Sequence, residues 1–181
     1  MPALDMFIHK IDALSSRVGQ LIGWLTLVMV LVGAFNALTR YLGKFTELQL
    51  SSNAYLELQW YLFSMVFLLG ASHTLQRNQH VRVDVLYGQF STRNKAWLDL
   101  LGGLFFLVPF CIFGLVVCWP MVTNSWSIGD TWLGEGSPDP GGLPRAPIKT
   151  MMMLCFGLLL LQGLAEIAKQ IRTLREPKET T

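Results

Sequence analysis

The sequence predicts an all-α integral membrane protein: four transmembrane helices, N-in/C-in, with an N-terminal amphipathic helix in the interface. Three observations carry that prediction. Hydrophobic residues make up 52 % of the 181 and charged residues only 14 %, against roughly a quarter in ordinary soluble domains, and the mean hydropathy is +0.43. The charges are clustered, leaving four long stretches with none. The cations flanking those stretches fall mostly on one side of them. This composition excludes a disordered tail, a nucleic-acid-binding module and a disulfide scaffold. The net charge of +2 is too small to draw a polyanion. One membrane domain over 1–181 is expected.

Taking the elements in order, Leu4, Phe7, Ile8, Ile11 and Leu14 recur at helical spacing, with Asp5, Lys10, Asp12 and Arg17 mainly opposite. The pattern predicts an amphipathic helix over about 3–16, lying in the cytoplasmic interface as a lipid anchor or as a brace for a partner. Val18 to Thr39 then gives 22 residues without a charge, between Arg17 and Arg40. It is too long for a signal-peptide core and no small-residue cleavage site follows, so it reads as an uncleaved first span over about 18–40. Leu58 to Gln76 gives 19 residues between Glu57 and Arg77; with the half-apolar stretch before it (Leu48, Ser51, Ser52, Tyr55), a second span is expected over about 56–76.

Leu100 to Gly129 is 30 residues without a charge and predicts a third span over about 97–122. Trp97 and Trp119 are 22 residues apart, about 33 Å along a helix, which suits a residue at each interface. Trp126 and Trp132 continue the outer aromatic belt. Pro109 predicts a bend within this span, and Pro120 falls near its outer end; a bent structural helix is the preferred reading over a gating hinge. Thr150 to Ala165 gives 16 residues without a charge. Snorkelling by Lys149 at one end and Ile167–Ala168 at the other extend it to a fourth span over about 147–169. Ten Lys and Arg lie in the two tails and the second-to-third connection, against four on the other side. The positive-inside rule therefore places both termini in the cytoplasm.

The outer connection over about 128–147 is of another kind. Between Gly129 and Pro147 it holds five glycines, four prolines and the acids Asp130, Glu135 and Asp139. Such a segment cannot be a regular helix or a central strand. The acids lack calcium-loop spacing, and the loop reads either as a surface for an external partner or as a tether. Cys111, Cys118 and Cys155 all lie in apolar runs and read as packed thiols.

Chemistry at membrane depth is sparse. The four cores carry no Asp, Glu, Lys or Arg; their polar residues are Thr26, Asn36, Gln59, Ser64, Ser72, His73 and Gln162. These are expected to join helices by hydrogen bonds rather than to carry a solute. Of the three histidines only His73 lies near a helix end, so a bis-histidine haem site is not expected. No nucleophile–base pair, phosphate loop or zinc spacing appears, and the chain is not expected to be an enzyme. What remains is a subunit that supports a larger membrane partner.

Two stretches add a resemblance. One is Trp60, then Leu69-Gly70-Ala71-Ser72, then Arg77-Asn78-Gln79-His80-Val81-Arg82-Val83-Asp84. The other is Glu135-Gly136-Ser137, then Gly141-Gly142-Leu143-Pro144, then Lys149. With the four spans and inside termini, they make the chain similar to the small membrane subunit (DctQ-type) of tripartite ATP-independent periplasmic (TRAP) transporters. The resemblance implies a scaffold, in a bacterial inner membrane, beside a large multispan subunit. That subunit would carry Na+ coupling and the solute path, and a periplasmic binding protein would deliver an organic acid. It implies no cofactor in this chain. The candidate interface or structural residues are Arg77, His80, Asp84, Glu135, Gly142, Leu143, Pro144 and Lys149. Arg77, His80 and Asp84 would cluster if helical; if extended, Val81, Val83 and Val85 would pack on one side. His80 is read as a structural cap in preference to a pH sensor. The outer loop is longer than in shorter members, which leaves open whether it meets the binding protein or packs on the large subunit. The rival class is a membrane anchor for a redox or other enzyme complex, with His73 near its cofactor.

Overall fold

Residues 2–46, 52–79 and 87–175 are described by the computed structural model, as five α-helices and one π-helical turn. They are α1 (Pro2–Thr46), α2 (Asn53–Gln76), α3 (Thr92–Gly102), the π turn (Gly103–Leu107), α4 (Val108–Ser127) and α5 (Ala146–Arg175). The π turn joins α3 to α4 without a break, so four helical rods result. Each is long and apolar enough to cross a membrane. The start of α1, the end of α2 and the end of α5 meet at one end of the bundle, called here the terminal end. The loop between α4 and α5 folds over the other, the loop end.

The first rod differs from the two-part expectation. The amphipathic stretch and the first span form one helix of 45 residues, about 68 Å at 1.5 Å per residue. That exceeds the ~40–45 Å of a bilayer with its headgroups, so α1 projects beyond the membrane or lies strongly tilted within it. No glycine or proline separates the parts. Ser15 and Ser16, of a residue type that caps helices, instead give their side chains to Gln162 and Gln76 on other helices.

The ends of the other rods follow from local chemistry. Ser52 caps α2 by accepting from the Ala54 N–H. At its far end Asn78 takes φ +58°, while the N–H groups of Asn78 and Gln79 donate to the carbonyls of Leu75 and Thr74. This is the six-residue closure that an asparagine in the left-handed region permits. Ser91 caps α3. Pro109 sits in the first turn of α4, immediately after the π turn. Its ring would clash with the carbonyl four residues back in a regular helix. The Val108 N–H instead reaches the Gly103 carbonyl, and this wider turn absorbs the proline. Pro120 does not end the rod, which continues to Ser127.

Helix α5 is the hub: it packs on α1, α2, α3, the π turn and α4. Helix α1 packs chiefly on α2, and α3–α4 rests on α5 alone among the rods it packs with substantially. Close approach of the π turn to α5 depends on small residues. A Cβ at Gly163 would come 2.8 Å from a Leu107 methyl, and one at Gly103 3.0 Å from Ile167. Large apolar side chains cover the outside of the rods, among them Trp24, Phe67, Phe106 and Phe113, as expected where hydrocarbon or a membrane partner replaces water.

Candidate functional site

At the loop end, one face of α2 presents Asn53, Glu57 and Tyr61 at successive four-residue steps, and all three hold the α4–α5 loop. The Asn53 amide donates to the Pro140 carbonyl at 3.1 Å. Glu57, only 4 % exposed, accepts from the Ser137 hydroxyl and from the Leu143 N–H, each at 2.5 Å. The Tyr61 hydroxyl donates to the Pro144 carbonyl at 2.9 Å. Residue 142 has to be glycine for this to close. A Cβ there would lie 2.5 Å from the Ser137 hydroxyl and 2.7 Å from the Glu57 carboxylate.

The second half of the site surrounds Glu135. Its carboxylate accepts from the Ser125 hydroxyl at 2.6 Å and pairs with the Lys149 ammonium. Its N–H reaches the Ser125 carbonyl, and its own carbonyl accepts from the Arg145 N–H, each at 2.8 Å. The Lys149 and Ser125 bonds hold the Glu135 carboxyl below the ordinary carboxylate range. Gly134, at φ +81°, makes the turn that lets the chain approach Ser125; a Cβ there would lie 2.6 Å from the Ser125 carbonyl. The Nε of Arg145 is buried without a partner. Trp132 stands at the outer surface of the loop, 88 % exposed. The loop thus has almost no regular structure, yet buried polar bonds fix it to α2, α4 and α5.

Glu135, Gly142, Leu143, Pro144 and Lys149 therefore belong to one network. Arg77 does not: it is exposed at the opposite end of α2, where it closes the helix. His80 and Asp84 lie outside the described residues. The sequence reading missed Glu57, which it used only as the charge bounding a span, and Tyr61. The polar residues at 53, 57 and 61 at the start of an apolar helix were the available signal.

A second polar cluster ties α1, α2 and α5 at the terminal end. Gln162 is fully buried. It accepts from the Ser15 hydroxyl at 2.7 Å and donates to Asp12 at 3.0 Å and Glu166 at 2.9 Å. Lys169 bridges the same two carboxylates, at 2.9 and 2.7 Å. From α2, the Gln76 amide donates to the Asp12 carbonyl at 2.7 Å, and His73 Nδ1 bonds the Ser15 carbonyl at 3.1 Å. The His73 ring lies against Gly19, where a Cβ would sit 2.5 Å from it. His73 and Gln162 thus join helices, whereas Thr26, Ser64 and Ser72 bond carbonyls of their own helix. The Asn36 Oδ1 is buried without a partner. Among the described residues, no three His, Cys, Asp or Glu side chains gather as a metal site would require.

A family model, that of tripartite ATP-independent periplasmic transporters, DctQ component, matches residues 29–173. This covers α1 from its membrane-depth half through α5, including both halves of the loop-end network. No curated protein and no solved structure matches the chain.

Proposed function

The chain belongs to the DctQ component family of TRAP transporters, and from that premise we propose that it is a non-catalytic scaffold bracing the large transport subunit. In this reading the large subunit takes up an organic acid with Na+ in the bacterial inner membrane, and the periplasmic binding protein delivers the solute. Both termini face the cytoplasm, and the α4–α5 loop faces the periplasm.

The distribution of charge carries the reading. Between the loop-end network and the terminal cluster, the four apolar cores hold no ionisable Asp, Glu, Lys or Arg. Solute and ion pathways normally place such groups at membrane depth. Here the buried polar groups hold the bundle together: Glu57 bonds the α4–α5 loop, and Gln162 bonds Ser15 and Asp12 of α1. A chain whose polar chemistry is internal and whose apolar flanks are open is suited to standing still beside a moving neighbour. His73, on which the redox-anchor alternative turns, has its Nδ1 on a backbone carbonyl and its ring on Gly19, which is a packing role.

Co-expression with the large subunit and mild-detergent purification through a tag on this chain tests the proposal. The two should elute together, and solute uptake should need both. Uptake by vesicles holding this chain alone would overturn it.

A further inference from the structure

Helix α1 carries two seams with the same seven-residue step. Ile8, Ser15, Ile22, Met29 and Asn36 make the inner one, buried or half-buried; Ser15 bonds Gln162 of α5, and Ile22 lies beside Gly70 of α2. One residue earlier in each heptad, Phe7, Leu14, Leu21, Val28 and Phe35 are all large, apolar and exposed. Phe35 also leans on the Tyr55 ring of α2. Three residues after Leu21, Val28 and Phe35 come Trp24, Leu31 and Leu38, exposed in the same way, and Phe45 continues the line. Three after Phe7 and Leu14 come Lys10 and Arg17, also exposed. Neither has an ion-pair or hydrogen-bond partner among the described residues. This alternation of three and four is the repeat of a coiled-coil seam. The exposed positions farther round α1 follow no such rule: Gln20, Gly23, Val30 and Ala37 mix sizes and polarity.

We propose that the outer seam seats a long helix of the large transport subunit, which crosses α1 at the shallow angle of about 20° that a seven-residue repeat sets and presents carboxylates to Lys10 and Arg17. Lipid does not account for the seam. Acyl chains require no register, and from Phe7 to Phe45 the line is about 57 Å long at 1.5 Å per residue, beyond the ~40–45 Å of a bilayer with its headgroups. At the terminal end it keeps its register among charges, where Phe7 and Leu14 alternate with Lys10 and Arg17. Nor does that end lie flat as a lipid anchor. Ile8 is buried, and Asp12 and Asp5 pair with Lys169 and Arg172 of α5, which holds the segment in line with the bundle. A second copy of the chain does not fit either. Two copies inserted the same way would pair α1 in parallel, setting Lys10 against Lys10 and Arg17 against Arg17, a meeting of like charges. A different chain with acids at that end suits both the apolar line and the two cations. The identity of that chain rests on the scaffold reading; the seam itself rests on α1.

Photocrosslinking in the co-expressed complex tests the seam, with the photoreactive amino acid benzoylphenylalanine placed at one position of α1 at a time. Illumination should join this chain to the large subunit from positions Leu21, Val28 and Leu31, and the crosslink should be lost at Val30 and Ala37, on the other exposed side. The double variant Lys10→Glu/Arg17→Glu should lower the amount of large subunit recovered with this chain about tenfold, with far-UV circular dichroism unchanged. Lys10→Gln/Arg17→Gln should lower it less. Crosslinks from the seam to a second copy of this chain, seam positions that yield no protein crosslink, or equal yields from both sides of α1 would each overturn the assignment. So would undiminished recovery in the charge-reversed variant. If the large subunit co-purifies but is crosslinked only from Val30 and Ala37, the seam is wrong and the scaffold role stands. If no large subunit accompanies the unaltered chain, both fall.

Discussion

Gly142 and Glu135 show how much of the loop end rests on individual residues. The Glu57 carboxylate reaches the Leu143 N–H only because residue 142 has no Cβ. Gly142→Ala forces Ser137 and Glu57 apart and leaves a buried carboxylate short of donors, which costs about 1–3 kcal/mol. Thermal unfolding in detergent should register this as a fall of about 2–4 °C for each kcal/mol; an unchanged midpoint would show that the loop is not clamped. Glu135 adds a pH dependence. Its folded carboxyl lies below the ordinary value of 4.5, chiefly through its bond with Lys149. Protons therefore bind the unfolded chain more readily, so its contribution to stability is complete above about pH 4.5 and is lost as pH falls through the lowered folded value. The unfolding midpoint of the native chain should drop more steeply below pH 4.5 than that of Glu135→Gln. Parallel curves would contradict the pairing. In the sequence, Glu135 and Gly142 were visible as parts of a motif, but Glu57 was not. A carboxylate at the edge of an apolar run looks the same whether it faces headgroups or a folded loop 80 residues away.

At the scale of elements, the spans were legible because helix length is set by bilayer thickness, and the apolar runs carry that length directly. Which helix touches which was not. In hydrocarbon, lipid-facing and core-facing positions are equally apolar, so α5's place as hub leaves no periodic trace. Nor does the π turn, since Pro109 predicts a bend and not the way the backbone accommodates it. The junction of α1 with α5 was half legible: Glu166 and Lys169 stand three apart, a spacing that lets them pair on a helix, but the third partner, Asp12, comes from the other end of the chain. This junction yields a graded prediction. Gln162 is fully buried and bonded to Ser15, Asp12 and Glu166, so Gln162→Leu leaves buried partners unsatisfied and costs about 1–3 kcal/mol. The pair of Asp5 with Arg172 is 3.4 Å long and half exposed, so Asp5→Ala costs about 0–1 kcal/mol. Thermal unfolding of the two variants should rank them in that order. The reverse order would mean that the N-terminal part of α1 is held from its tip and not from its buried middle.

For the whole molecule, the decisive asymmetry is between the two ends of the bundle. The terminal end gathers the start of α1, the end of α2 and the end of α5, so both tails and the 77–91 connection emerge on one side. That geometry turns the cation count into a statement about the molecule: among the described residues, eight Lys and Arg belong to this end and four to the loop end. A rule that acts on short flanking segments during insertion would then orient a bundle whose two ends have different structures. On the proposed orientation the folded loop, with Trp132 at its surface, would face a periplasmic partner. The three native cysteines lie on α4 and α5 within the apolar rods, and two of them are buried, so a thiol added at either end reports its own side. In intact cells a membrane-impermeant maleimide should label Trp132→Cys at once, and Arg175→Cys only after the membrane is opened. The opposite pattern would invert the bundle, leaving the loop in the cytoplasm and out of reach of any periplasmic binding protein. Labelling of both sites in sealed cells would mean that the rods do not all cross the bilayer.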